Sequence, residues 1–363
     1  MWRIIRPDAV RVLGDEKCRR SLKRYFAILE ERSQAKFRIA RRLKADFTGE
    51  EPLEELWSLH ERLTREYYEL EAKLDHAKES FETLKPVKPS YLDLKVEIAR
   101  RILRECHFCE RRCRVNRLEG ERGFCRCGVE AEVSSFFSHM GEEPELVPSG
   151  TIFTMGCTIR CLHCQNWTIS QWFEAGEKCS PGGLAQMVRE LKGQGCRNAN
   201  LVGGEPTPWL EAWLEAFSLL DLNVPVVWNS NSYYSEEAAR LLAGFADIYL
   251  LDFKYGCNEC AERISSAPGY VETARRNHLY ALKYGELIIR ILVLPGHLEC
   301  CAKPILEWIA KNLGTWVRVN IMDQYRPEWR AREIPELRRR LKPEEFEEVL
   351  SYARELGLTN LCF

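Results

Sequence analysis

Three cysteines stand in one short loop, Cys157-Thr158-Ile159-Arg160-Cys161-Leu162-His163-Cys164, separated by three residues and then by two. Thiols at such spacing are metal ligands in a reducing compartment. A cubane iron–sulfur cluster normally takes four thiolates, so a loop that supplies three leaves one iron open. An open coordination position marks a metal that reacts, as in catalytic against structural zinc. A small chelator with an amine and a carboxylate would fill that iron, and a sulfonium held beside it could be split by one electron. The competing reading of the same three residues is a structural zinc knuckle.

The chain carries sixteen cysteines, most of them near another. Cys106, Cys109, Cys113 and Cys125, in the run CHFCERRCRVNRLEGERGFCRC, leave gaps of two, three and eleven residues. Four such ligands suit a tetrahedral site. Structural zinc, an auxiliary iron–sulfur cluster and unligated thiols are all compatible with the spacing, and Cys127 is the spare. A further group, Cys257, Cys260, Cys300 and Cys301, fits a second metal site, a redox thiol or small core residues. Adjacent cysteines point apart in most backbone conformations, so one of Cys300 and Cys301 is expected to be a bystander. Cys18, Cys179, Cys196 and Cys362 are isolated and read as core residues.

These residues need a scaffold. Residues 151–363 repeat a β-rich run and a helix-patterned run: Thr151–Met155, Asn198–Val202, Val224–Asn229, Asp247–Phe253, Leu287–Leu294 and Trp316–Met322 alternate with amphipathic stretches. Continuous apolar strands between helices point to a parallel sheet covered on its faces. Six units are too few for a closed eight-unit barrel, so the expected fold is α/β, a partial (β/α)6 barrel. In such folds the chemistry gathers at the C-terminal ends of the strands, and the polar motifs lie there. Residues 91–150 read as an amphipathic helix followed by the Cys-rich metal-binding segment. Residues 1–90 read as a helical extension. In it, apolar residues at Leu63, Tyr67, Leu70, Leu74, Ala77, Phe81 and Leu84 form a heptad seam, and the stretch Glu16–Lys44 is its expected antiparallel mate. Lys85–Pro89 is a stiff linker, because two prolines interrupt a helix.

The three-cysteine loop and the motifs downstream of it resemble the radical S-adenosylmethionine (SAM) superfamily, in which Cys-x3-Cys-x2-Cys comes after the first strand of a βα repeat. Within it, residues 106–330 are similar to the branch related to pyruvate formate-lyase activating enzyme. The likeness rests on Ser149-Gly150-Thr151-Ile152-Phe153, Cys164-Gln165-Asn166, Gly203-Gly204-Glu205-Pro206-Thr207-Pro208, Trp228-Asn229-Ser230-Asn231, Asp252-Phe253-Lys254-Tyr255 and Leu294-Pro295-Gly296-His297. The resemblance implies a [4Fe–4S] cluster on Cys157, Cys161 and Cys164, and SAM beside it. It implies that Gly203, Gly204 and Glu205 meet the amino group of SAM and that Asn229, Ser230 and Asn231 lie near its methionyl part. Asp252 and Lys254 would approach the ribose and carboxylate side, a buried salt bridge being the alternative, while His297 and Gln324-Tyr325 would contact substrate or adenosyl. His163 stands where family members often stack an aromatic on adenine. Asn229 departs from an Asp that holds a monovalent cation in some members.

The implied activity is reductive cleavage of SAM to a 5′-deoxyadenosyl radical that abstracts hydrogen from substrate, with a ferredoxin- or flavodoxin-type electron donor. Activation of a protein partner is the first expectation. Modification of RNA or of a protein side chain is the second, with the basic stretch Arg38–Lys44 and the N-terminal helices as a docking arm. A metal-stabilised interaction protein is the non-enzymatic alternative. Net charge is −1, so no global basic field points to nucleic acid. No apolar run reaches the ~18–20 residues of a membrane span, and MWRIIRPDAV lacks a secretory h-region. The expected location is cytoplasmic.

Overall fold

A computed structural model describes residues 2–362. Nine strands form one sheet: β1 (Ala131–His139), β2 (Ser149–Thr154), β3 (Glu177–Cys179), β4 (Ala199–Gly203), β5 (Val226–Ser230), β6 (Ile248–Asp252), β7 (Glu286–Leu292), β8 (Arg318–Met322) and β9 (Leu361–Cys362). Their order is β3-β1-β2-β4-β5-β6-β7-β8-β9. Pairing from β2 through β4, β5, β6 and β7 to β8 is parallel, so the six expected strands are present. The sheet order does not return on itself, and the barrel is partial. β5 is buried along its whole length and β6 up to Asp252, because helices cover the outer face and the inner face lines the core. Continuous apolar strands are the sequence mark of that double burial.

The antiparallel edge goes beyond the sequence expectation. β1 pairs with β2 and β3 and alternates buried with exposed residues only weakly, so its period reads as loop. It matters because the turn after β1 reaches the mouth of the barrel.

The N-terminal segment differs in detail from the heptad reading. Its first part includes three short helices, Glu16–Ser21, Lys23–Leu29 and Lys36–Ala40. Asp15 starts the first by accepting from the amides of Lys17 and Cys18, a stabilising N-cap. The long helix covers Leu53–Asp75 and buries Leu63 and Tyr67. It stops short of the expected seam: Ala77 takes φ +53°, and Phe81 lies beyond the helix under the guanidinium groups of Arg38 and Arg42, 4.8 and 4.0 Å from its ring centre. That cation–π contact competes with continuation of the seam. The basic stretch is itself engaged. Arg38 and Arg42 lie 3.1 and 3.5 Å from Asp221, and Arg41 donates to the carbonyl of Leu220. Among the described residues, no helix is long and apolar enough to cross a membrane.

Candidate active site

The C-terminal ends of β2, β4, β5, β6 and β7 surround a cavity of about 380 Å³. Cys157, Cys161, His163, Cys164, Gly203, Gly204, Glu205, Asn229, Ser230, Asn231, Asp252 and Lys254 all line it. Each thiol has its own polar neighbour. Asn231 Nδ2 donates to Cys157 Sγ at 3.4 Å, Ser265 Oγ donates to Cys161 Sγ at 2.9 Å, and Ser170 Oγ lies 3.2 Å from Cys164 Sγ. Burial pushes all three thiols up, Cys161 to about 11. A cationic centre is therefore what would deprotonate them, as metals do to coordinating thiols.

The donor set fits a cluster. Among the described residues, the one group of three or more ligand side chains whose atoms lie mutually within 4.8 Å is elsewhere, at residues 257–301. The sulfurs of Cys157, Cys161 and Cys164 do not all lie within that distance of one another, and a cubane distributes its thiolates over separate irons. The cavity is lined by these three cysteines and no fourth.

The turn after β4 is built for close approach. Gly203 has φ +134°, and a Cβ on it would fall 2.1 Å from the Thr154 carbonyl; one on Gly204 would fall 2.0 Å from the Gly156 carbonyl. Only glycine fits. Glu205 is buried, and its carboxylate accepts from Thr207 Oγ1 (2.5 Å), Ser230 Oγ (2.7 Å) and the amide of Asn231 (2.9 Å). Burial raises its pKa against those hydrogen bonds. The side chain ties the end of β4 to the end of β5 and so fixes Asn231 against Cys157.

Asp252 and Lys254 form the ion pair of the alternative reading, at 2.7 Å, on the wall of the same cavity. Arg290 joins them from β7: its Nε lies 2.9 Å from Asp252 Oδ1, and it also donates to Asn229 Oδ1. Burial pushes Asp252 up, but Arg290 and Lys254 outweigh it and hold the carboxyl below its usual range. Burial likewise opposes the Lys254 ammonium, and the charge of Asp252 outweighs it, holding Lys254 above its ordinary range. Arg290, Glu142 and His139 line the cavity too. Sequence reasoning missed all three. Burial, then the neighbouring Glu143, push Glu142 upward, while Arg290 lies 3.7 Å away. The available signal for Arg290 was a lone cation inside the apolar run ELIIRIL; for Glu142 and His139 it was slight, because it depended on recognising β1.

His163 is buried, with Nε2 3.2 Å from Tyr255 Oη. Burial and then Lys254 lower it to about 3, so the ring is neutral. Tyr325 meets it edge-on at 5.9 Å and donates its hydroxyl to the Leu337 carbonyl; Gln324 is exposed. His297 does not line the cavity. The turn at Gly296, φ +75°, carries it the other way, and its Nδ1 lies 3.3 Å from Cys300 Sγ and 3.5 Å from Cys260 Sγ.

Cys106, Cys109, Cys113 and Cys125 line one small cavity under the cluster loop, with Arg117 among them. The Arg117 guanidinium is buried, 4.0 Å from Cys106 Sγ, and donates to the Pro208 carbonyl at 2.6 Å. A hydrogen bond from Cys127 and the charge of Arg117 bring Cys125 down to about 6 against its burial. Cys127 stands outside this cavity, 3.7 Å from the Met155 carbonyl.

A model of the radical SAM superfamily matches residues 151–309. An uncharacterized protein of Methanocaldococcus jannaschii, MJ0674, is 47% identical over 343 residues, 93% of this chain and 98% of that protein. A second uncharacterized protein of the same organism, MJ0808, is 36% identical over 83 residues, 18% of this chain and 24% of that protein. A crystal structure of SuiB from Streptococcus suis superposes with a TM-score of 0.41 at 13% identity, covering 57% of this chain and 46% of SuiB. With three separated thiols facing a pocket of strand ends inside the matched segment, the chain belongs to the radical SAM superfamily, whose members use a [4Fe–4S] cluster and SAM.

Proposed function

We propose that the pocket seats SAM against a cluster on Cys157, Cys161 and Cys164, and that the protein is a cytoplasmic enzyme acting on a protein partner, in the manner of an activase that forms a glycyl radical. When bound, the cluster supplies the electron that splits the sulfonium into methionine and a 5′-deoxyadenosyl radical. The observation that carries the reading is the trio of thiols, each with its own hydrogen-bonding neighbour, on the wall of a cavity ringed by strand ends. Hydrogen bonds to the sulfurs tune a cluster's potential.

The chain's own residues then have separable tasks. Gly203 and Gly204 bring bare backbone to the amino group. Asn229, Ser230 and Asn231 face the methionyl part, with Glu205 holding the last two in place. Lys254 offers its ammonium to carboxylate or ribose oxygens while Asp252 keeps it charged. Neutral His163 presents an aromatic face to adenine. The protein thereby orients and encloses, and the cofactor carries the hard chemistry. Cys106, Cys109, Cys113 and Cys125 would hold a second metal group, zinc or a cluster. The motif series from Ser149 to His297 supports the activating branch. The RNA reading rests on the stretch Arg38–Lys44, in which Arg38, Arg41 and Arg42 also make contacts within the chain.

Anaerobically reconstituted protein, reduced by dithionite or by a flavodoxin-type donor, should convert SAM to 5′-deoxyadenosine and methionine. S-adenosylhomocysteine as the main product would replace the reading with methyl transfer. No turnover, with zinc in place of iron and sulfide at Cys157–Cys164, would remove it.

A further inference from the structure

Two loops at neighbouring strand ends converge on four cysteines outside the pocket. Cys257 and Cys260 stand at the start of the helix Asn258–Ser265, after β6; Cys300 and Cys301 lie in the turn Leu298–Ala302, after β7. All four sulfurs lie within 4.8 Å of one another. The bystander expectation for adjacent Cys300 and Cys301 therefore fails, and the cause is local. Leu298–Ala302 is a π-helical turn, wider than an α-turn and common at functional sites, and it brings both sulfurs to one side, 3.9 Å apart. The two loops touch through Gly256, where a Cβ would fall 2.6 Å from the Cys301 carbonyl and 2.9 Å from the Cys300 carbonyl.

The spacing is that of a single ion. A tetrahedron with zinc–sulfur bonds of ~2.3 Å has sulfur–sulfur edges of about 3.8 Å. Cys260 Sγ and Cys300 Sγ are 3.7 Å apart, and Cys300 Sγ and Cys301 Sγ are 3.9 Å apart. His297 Nδ1, against Cys260 and Cys300, is placed to donate to their sulfurs, the kind of outer hydrogen bond that orients metal ligands. We infer that Cys257, Cys260, Cys300 and Cys301 bind one thiophilic divalent ion, zinc or sulfide-free iron, in a closed tetrathiolate site separate from the SAM cluster. Four protein ligands leave no position for substrate, so the ion braces.

What it braces is the cluster loop. The helix that starts at Cys257 ends at Ser265, whose carbonyl accepts from the amide of Arg160 (2.8 Å) and whose hydroxyl donates to Cys161 Sγ (2.9 Å); the Ile264 carbonyl accepts from the amide of Leu162 (2.9 Å). An ion at one end of this helix fixes the other end against the cluster.

The test is a metal count on the full chain, purified without air after growth in zinc-supplemented medium. The double variant Cys257→Ser/Cys301→Ser should hold one zinc, or one iron without matching sulfide, fewer than wild type, and Cys113→Ser/Cys125→Ser should retain that ion. Cobalt loaded in its place should give the absorption of a tetrahedral tetrathiolate, with the charge-transfer band reduced by about a quarter in Cys257→His, which keeps a fourth ligand. Amide exchange at residues 160–162 and 258–265 should rise at least 10-fold in the double variant. If that variant does not fold, X-ray absorption on Cys113→Ser/Cys125→Ser, in which the other four-cysteine set is disabled, decides: a shell of four sulfurs at ~2.3 Å around zinc supports the site. An unchanged metal count in a folded Cys257→Ser/Cys301→Ser variant, no such shell in Cys113→Ser/Cys125→Ser, or a disulfide among these four thiols in anaerobic protein would overturn it. None of these outcomes depends on SAM turnover, so this site and the cluster reading can fail separately.

Discussion

Two sets of thiols stand at the mouth of the same barrel, and they differ in spread and in neighbours. Cys157, Cys161 and Cys164 line an open cavity, with polar side chains on every sulfur. Cys257, Cys260, Cys300 and Cys301 crowd within 4.8 Å and meet chiefly one another. The first geometry leaves room for a ligand, while the second consumes all its donors on one centre. The lesson is that cysteine count says little about role; the distances between sulfurs and the groups filling the remaining space decide it.

The sharpest way to break this comparison is Cys161→Ala. Its 5′-deoxyadenosine formation should fall at least ~10³-fold, about 4 kcal/mol of barrier, with the unfolding free energy in urea within about 1 kcal/mol of wild type. Equal losses of fold and turnover would make the three-thiol set a brace like the other. Next comes Gly204→Ala, where the new methyl must displace the Gly156 carbonyl. We expect a stability loss of more than about 3 kcal/mol by urea unfolding and no measurable SAM binding by equilibrium dialysis. A binding-competent Gly204→Ala protein would show that the turn does not approach the ligand.

Arg290→Met should cost about 3 kcal/mol, because it strands Asn229 Oδ1 and one side of Asp252 in a buried wall. The same variant should weaken SAM binding roughly 10-fold and leave the metal at residues 257–301 in place; a loss of that metal would merge the two sites. The smallest effect is a pH dependence. His278 stacks on Phe253 behind the pocket wall, and burial lowers it to about 4 from the ordinary 6.5. The folded state thus favours the neutral ring, so this contribution is intact above pH 6.5 and is lost as pH falls toward 4. The stability difference between wild type and His278→Phe should therefore shift by about 3 kcal/mol against wild type between pH 7 and pH 4, at about 1.4 kcal/mol per unit. A flat difference would mean the ring is not buried against Phe253.

Much of this was legible in residue order. The six parallel strands came from apolar runs that need no partner to be recognised, and the motifs at their ends came with the repeat. Arg290 was not legible in the same way: its meaning comes from Asp252 and Asn229, which lie 38 and 61 residues before it. Glu142 and His139 depended on an edge strand whose alternation is blurred by exposure. The joint placement of Cys300 and Cys301 depended on a π-turn, a backbone choice that residue spacing does not encode. The heptad seam is shorter than its apolar spacing suggests because Phe81 finds two guanidinium groups instead of a helical neighbour.

The helix Asn258–Ser265 is a strut of about 12 Å with a sulfur cage at its head and the hydrogen-bonded Cys161 at its foot. Cys257 and Cys300 are the partly exposed members of that cage, and so the first that an oxidant reaches. Oxidation of the cage would be felt at the cluster mechanically, as slackening of the loop that grips it.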